Sequence, residues 1–343
     1  MIHTRLPVKR LAALLLTLLM LPFSSLALTN EERSALFEQR LAGLLTPDQL
    51  AADTGCIPLH PGDTAFAPCV SPGIIPFHKQ KDNPPLPTAS GTFSSSDEAV
   101  LSVSADGLMT AVAPGEATLI CETENGSFTY QVTVSEDNLP RLIQNYIYVL
   151  ENEFYSVQRK RLPKWNKYTK WYYSSKREVG WCSVFTIYCA NAAGTDPITL
   201  NQLKETEPAD VQFLQQGQVG HQYDGFLDMG RFVSVPKPGY LIIYANMKNG
   251  YRTTHVGSVI DVQDLGGGKY TVTTIEGNVS NSVKAYQFAY DSNKANHMVG
   301  LEKGLKLQWN MEELPADQQT DPLLQYELHT DYWSVFGFCQ TWK

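Results

Sequence analysis

The chain opens on an unbroken apolar run, "LAALLLTLLMLPF", behind a short segment carrying Arg5, Lys9 and Arg10. Small residues follow at Ser25 and Ala27. A basic start, an apolar middle and an A-x-A-like end predict a secretory signal at 1–27, cut after Ala27. The run is shorter than the ~20 residues of a spanning helix. No cysteine follows it to take a lipid, and no later stretch is apolar enough to cross a bilayer. The pattern predicts a soluble exported protein, extracellular or wall-associated, with no membrane partner after signal cleavage.

Beyond the signal the period of the pattern changes several times. Residues 28–55 predict a helical segment. Thr29 or Asn30 caps the first helix, with Glu31 and Glu32 in its first turn, and Thr46 and Pro47 begin a second. Residues 56–136 alternate in short runs bounded by turns: "AVLSVS", "LMTAVA", "ATLICET" and "SFTYQVTV" are separated by "ADG", "PGE" and "ENG". Short strands with tight turns predict an all-β sandwich. In "DNLPRLIQNYIYVLENEFYSVQ", residues 137–158, apolar positions recur every three or four residues, predicting a long amphipathic helix with Asn138 as its cap. That helix needs a packing partner, so it starts a second domain.

Composition narrows the choice of partner. The formal net charge is −8, which argues against nucleic acid. One basic stretch, "RKRLPKWNKYTKWYYSSKR", interleaves Trp165, Tyr168, Trp171 and Tyr172. It reads better as a solvated face with aromatic anchors than as an anion- or sugar-binding surface. Cysteines stand at 56, 69, 121, 182, 189 and 339, without the paired C-x-x-C spacing of a structural zinc site. Export permits disulfides without requiring them.

The candidate chemistry begins at "GWCSVFTIYCANAAG". The run has neither alternation nor breaker and ends in Gly194, a stop signal, so it predicts a buried helix from about Cys182 to Ala193. Cys182 falls in the first turn, where unpaired N–H groups and the positive dipole end lower a thiol pKa. Cys189 lies two turns on, without that advantage, and reads as a buried thiol. Among the histidines, His255 is best placed. "HVGSVIDVQDLGGGKYTVTTIEGN" predicts a β-hairpin. Centring its turn between Gly266 and Gly267 sets His255 opposite Asn278 and Gly257 opposite Glu276. His255, Glu276 and Asn278 then share one face. A thiol, an imidazole and a residue that orients the imidazole are the parts of a cysteine nucleophile. Either Glu276 or Asn278 can be the residue that touches the ring.

Two resemblances add to this reading. "FSSSDEAVLSVSADGLMTAVAPGEATLI" resembles the group 2 bacterial immunoglobulin-like domain, which implies an extracellular spacer or adhesive module at 56–136. It further implies that Cys69 and Cys121 face each other across the sandwich as a disulfide, with Cys56 competing for either partner. Residues from about 145 to 305 resemble the CHAP domain, the cysteine, histidine-dependent amidohydrolase/peptidase. The match runs through five ordered blocks: "KYTKWYY", "WCSVFTIYCANAAG", "PKPGYLIIY", "HVGSVIDV" and "TTIEGNVS". It implies a papain-like α+β domain at 137–305 and cleavage of amide bonds in peptidoglycan or a related cell-wall polymer. It makes Cys182 the nucleophile, His255 the base and then acid, Glu276 the orienting acid and Asn278 the polar residue of the same strand. No metal or other cofactor is needed. Tyr240 stands where the family usually has Asp, a departure expected to change only a local loop. Residues 306–343 lie beyond the match, and their many aromatics predict a C-terminal extension docked onto the domain rather than a sugar-stacking surface.

The leading expectation is an exported cell-wall amidase or peptide-bridge endopeptidase. A non-catalytic wall-binding or adhesive protein and an exported cysteine protease are the alternatives.

Overall fold

The computed structural model describes residues 28–74, 86–296, 306–328 and 332–343. The signal expected at 1–27 lies outside them, as do His78, His297 and His329. The chain is a mixed α/β, multidomain protein with two separate apolar cores.

Two helices come first, α1 (Asn30–Gly43) and α2 (Pro47–Thr54). Thr29 and Thr46 cap them, each in a reciprocal capping box, with Glu32 and Gln49 respectively. Seven short strands follow: β1 (Cys56–Leu59), β2 (Thr64–Phe66), β3 (Gly91–Ser95), β4 (Leu101–Val103), β5 (Leu108–Ala111), β6 (Gly115–Thr123) and β7 (Gly126–Val134). They form a four-stranded sheet, β1-β7-β6-β3, and a three-stranded sheet, β2-β5-β4. β6 shows the alternation that sequence predicts: Ala117, Leu119 and Cys121 are buried while Glu116, Ile120 and Glu122 are exposed.

The expected disulfide is absent. All six cysteines are free. Cys69 and Cys121 do meet, and their thiols share a hydrogen bond, but burial pushes both thiols up and keeps them protonated. Cys56 is exposed at the start of β1.

The second core is built on α3 (Arg141–Val157). Its cap differs from expectation. Pro140, not Asn138, holds the N-cap position and offers no side-chain bond. Asn138 instead donates its amide to Leu59 O (3.0 Å) and Thr133 O (2.9 Å), tying the sandwich to the helix. Asp63 of the sandwich accepts the free N–H of Arg141 at 2.9 Å, so the helix start is capped from the other domain.

After α4 (Lys167–Tyr172) and α5 (Cys182–Ala192) comes α6 (Val219–Asp228). Seven antiparallel strands complete the domain: β8 (Phe232–Val233), β9 (Leu241–Asn246), β10 (Tyr251–Gly266), β11 (Lys269–Val279), β12 (Ser282–Asp291), β13 (Met311–Glu313) and β14 (Trp333–Cys339). Their order is β13-β12-β11-β10-β9-β14-β8. The sheet curls towards closure: Tyr290 of β12 meets Phe338 of β14 at 5.3 Å and donates its hydroxyl to Ser234 O beside β8.

The segment read as an appended extension is thus part of this sheet, with β14 seated between β9 and β8. Tyr240 packs on Trp342 at 5.8 Å just before β9, so its side chain docks the C-terminus as well as shaping the local loop.

Candidate active site

Cys182 begins α5, as the apolar run predicts. The helix is buried nearly all round, with Val184, Phe185, Ile187, Cys189 and Ala190 in the core. Its N-cap, Trp181, makes no side-chain cap bond, which leaves first-turn N–H groups for the thiol. Trp181 is fully buried and stacks on Tyr168 of α4 (5.2 Å, 23°). The Tyr168 hydroxyl in turn donates to Glu153 of α3 at 2.7 Å. The start of the helix is therefore fixed by two others. The chain before it, Ser174–Gly180, is exposed and gives Cys182, itself partly exposed, an open approach.

The hairpin brings the other groups to this point. β10 and β11 pair Ser258 with Ile275, the register that sequence predicts at this end. The turn itself differs: Gly266 pairs with Lys269 around Gly267 and Gly268, both left-handed. Two irregularities in β10 absorb the difference. His255 Nε2 bonds Glu276 Oε2 at 2.8 Å, which leaves Nδ1 for Cys182, with which His255 also shares a hydrogen bond. Glu276 is fully buried. Its other oxygen accepts from Tyr244 (2.7 Å) and Thr274 (2.6 Å).

Two glycines make room for this arrangement. A Cβ on Gly277 would lie 2.5 Å from Phe185 of α5, so only glycine lets β11 approach the helix. A Cβ on Gly257 would lie 2.6 Å from the Glu276 side chain. The glycines of the "EGN" and "HVG" sequences are thus packing requirements.

Asn278 takes a left-handed backbone (φ 65°), which asparagine tolerates better than most residues. Its amide nitrogen is directed at Gly180, 3.3 Å from where a Cβ there would stand. Glu276 therefore touches the imidazole, and Asn278 lies beside the approach to Cys182.

Burial alone would raise the Cys182 thiol. The hydrogen bond and charge of His255, with the backbone N–H groups of Val256 and Ser183, outweigh it and hold the thiol below its usual range. Burial alone would lower His255. Its bond to Cys182 and that thiolate's charge, then Glu276, reverse this and raise the imidazole to about 10. A thiolate–imidazolium pair is the state these shifts favour. Cys189 is the contrast: fully buried, its thiol is pushed well above the usual range.

Sequence reasoning missed Tyr244, Thr274 and Trp333. Tyr244 pairs with His255 across β9 and β10, and Thr274 sits two residues before Glu276 on the same face. Strand pairing and alternation could have found both. Trp333 comes from a distant strand, and no local signal marks it.

Among the described residues no cluster of three or more His, Cys, Asp or Glu side chains could hold a metal ion. No family model matches this chain, and no curated protein matches it.

Proposed function

We propose that this chain is an exported thiol amidohydrolase of the CHAP type, with a papain-like catalytic domain that cleaves amide bonds in peptidoglycan. The observation that carries the reading is the buried relay from Glu276 through His255 to Cys182 at the open start of an apolar helix.

The Cys182 thiolate attacks the amide carbonyl carbon, and the carbonyl oxygen gains the negative charge. The backbone N–H of Cys182 at the helix start is the candidate donor to that oxygen. His255, as imidazolium, gives its proton to the departing amine nitrogen while the C–N bond breaks. A thioester on Cys182 remains. The neutral imidazole then takes a proton from water, the hydroxide attacks the thioester, and the acid leaves as the thiolate re-forms. Glu276, fixed by Tyr244 and Thr274, holds the ring through Nε2 so that Nδ1 faces the sulfur.

The choice of wall amides rests on the resemblance of the five sequence blocks and on the export expected from the first 27 residues. The test is release of soluble fragments from purified peptidoglycan by the mature protein under reducing conditions, with casein as a protein substrate in parallel. Release by wild type and none by Cys182→Ala supports the reading, and new amino termini or free muramyl ends name the bond. Casein cleavage without wall release would replace it with a protease. Wall binding by both proteins without release would replace it with an adhesive protein.

A further inference from the structure

His255 carries a second set of contacts that the proton relay does not use. Its ring lies near-parallel to that of Trp333 (centroids 5.1 Å apart, 25°) and to that of Tyr244 (5.8 Å, 29°). The Tyr244 and Trp333 rings are themselves 5.9 Å apart. Strand alternation explains the cluster. Val335 of β14 pairs with Tyr244 of β9, which pairs with His255 of β10. Trp333, two residues before Val335, therefore points to the same face.

The position of Trp333 is held from behind. Ser334, on the opposite face, bonds Asn310 Oδ1 at 2.6 Å. Asn310 also accepts the Val335 N–H (3.0 Å), and the amides of Asn296 and Asn310 both donate to Val335 O (2.8 and 2.9 Å). Both asparagines are buried, and their bonds to the strand make the start of β14 a fixed rather than a fraying end.

We infer that Trp333 is a positioning residue of the proposed thiol–imidazole pair, holding the His255 ring by stacking and favouring its protonated form through the π face. The inference rests on the reading of Cys182 and His255 given above. An aromatic face attracts a cation, and indole does so best. Among the described residues, the charged and titratable groups that bond His255 or its carboxylate partner include Cys182 from α5, Glu276 from β11 and Tyr244 from β9. On α6, His221 and Asp224 are turned to solvent. Lys248 lies over the ring of Tyr332, next to Trp333. Replacing Trp333 removes none of these charges.

The sign of the effect separates this role from a merely structural one. A side chain that only covered the imidazole would, when removed, admit water and favour the charged ring. Removing a π partner disfavours it. The experiment is a titration of the His255 ring by NMR in ¹³C-histidine-labelled full-length mature protein, for wild type, Trp333→Leu and Trp333→Phe. His255 is assigned by its loss in His255→Gln. Trp333→Met provides a second variant without a ring should the leucine protein not fold.

The expected result is a downward shift of the His255 titration by about 0.5–1 pH unit in the ring-free variant. Trp333→Phe stays within roughly 0.3 unit of wild type, because phenyl retains a π face. A His255 titration that is unchanged or moves upward without the ring overturns the inference and leaves the thiol–imidazolium reading standing. A wild-type His255 that titrates as an ordinary imidazole, unaffected by Cys182→Ala, overturns both.

Discussion

A single buried carboxylate fixes the imidazole of the pair. Glu276 is fully buried and donates nothing itself: it accepts from His255, Tyr244 and Thr274. Glu276→Gln keeps the shape but replaces one acceptor oxygen with a donor. We expect kcat on wall substrate to fall by about 10²-fold or more, with KM little changed. Tyr244→Phe removes one hydrogen bond to a charged group and leaves the others. Its cost is set at about 1.5–3 kcal/mol, read as a roughly 10- to 160-fold loss in kcat/KM. The pH profile follows from the two shifts. The proposed mechanism needs Cys182 as thiolate, so its activity is lost as pH falls through that group's lowered value. It also needs His255 as imidazolium, so it is lost again as pH rises through about 10. A kcat/KM profile that is flat between those limits, with its alkaline limb near 10, is the expected outcome.

At the scale of elements, helix α5 and the β10–β11 hairpin meet because two glycines allow it. Gly277→Ala would drive a methyl into Phe185 and separate sheet from helix. A loss of about 1–3 kcal/mol in urea unfolding is expected. Gly257→Ala pushes on Glu276 itself, so its loss of activity should exceed its loss of stability. This is also the scale at which the sequence was most legible. The run of 182–193, with neither alternation nor breaker, reads as a buried helix, and its start placed Cys182 correctly. The hairpin register near Ser258 was readable although the turn centre was off by one residue, since two irregularities in β10 compensated. The cap of α3 was not readable. Asn138 has the chemistry of a cap, but its amide is spent on the carbonyls of Leu59 and Thr133, a contact that exists only once the sandwich has folded.

Across the whole molecule, the N-terminal helices join the two cores. Phe37 of α1 packs edge-on to Phe154 of α3 at 5.2 Å, while Ala51 of α2 lies in the sandwich core. Asp48 of α2 pairs with the buried Arg141 at the start of α3 and also accepts from Ser71. Asp48→Ala leaves that guanidinium buried and without its carboxylate, which should cost about 3–5 kcal/mol. Differential scanning calorimetry is expected to show the domain built on α3 melting lower. The final strand is the other long-range feature. β14 lies between β9 and β8, so a chain ending at residue 331 should lose the native sheet as well as the ring beside His255, seen as lost near-UV circular dichroism. Sequence reading treated this segment as an appendage because its partner strands lie some ninety residues away, beyond the reach of periodicity and turn chemistry.

The most direct test of the central claim is the alkylation rate of Cys182 by iodoacetamide at pH 6, followed by mass spectrometry in wild type and in His255→Ala. A thiolate held by an imidazolium predicts alkylation at least about tenfold faster than a free cysteine with a pKa of about 8.5. The advantage should disappear in His255→Ala. A wild-type rate no faster than free cysteine, unchanged by the histidine substitution, would contradict the account and make Cys182 an ordinary helix thiol.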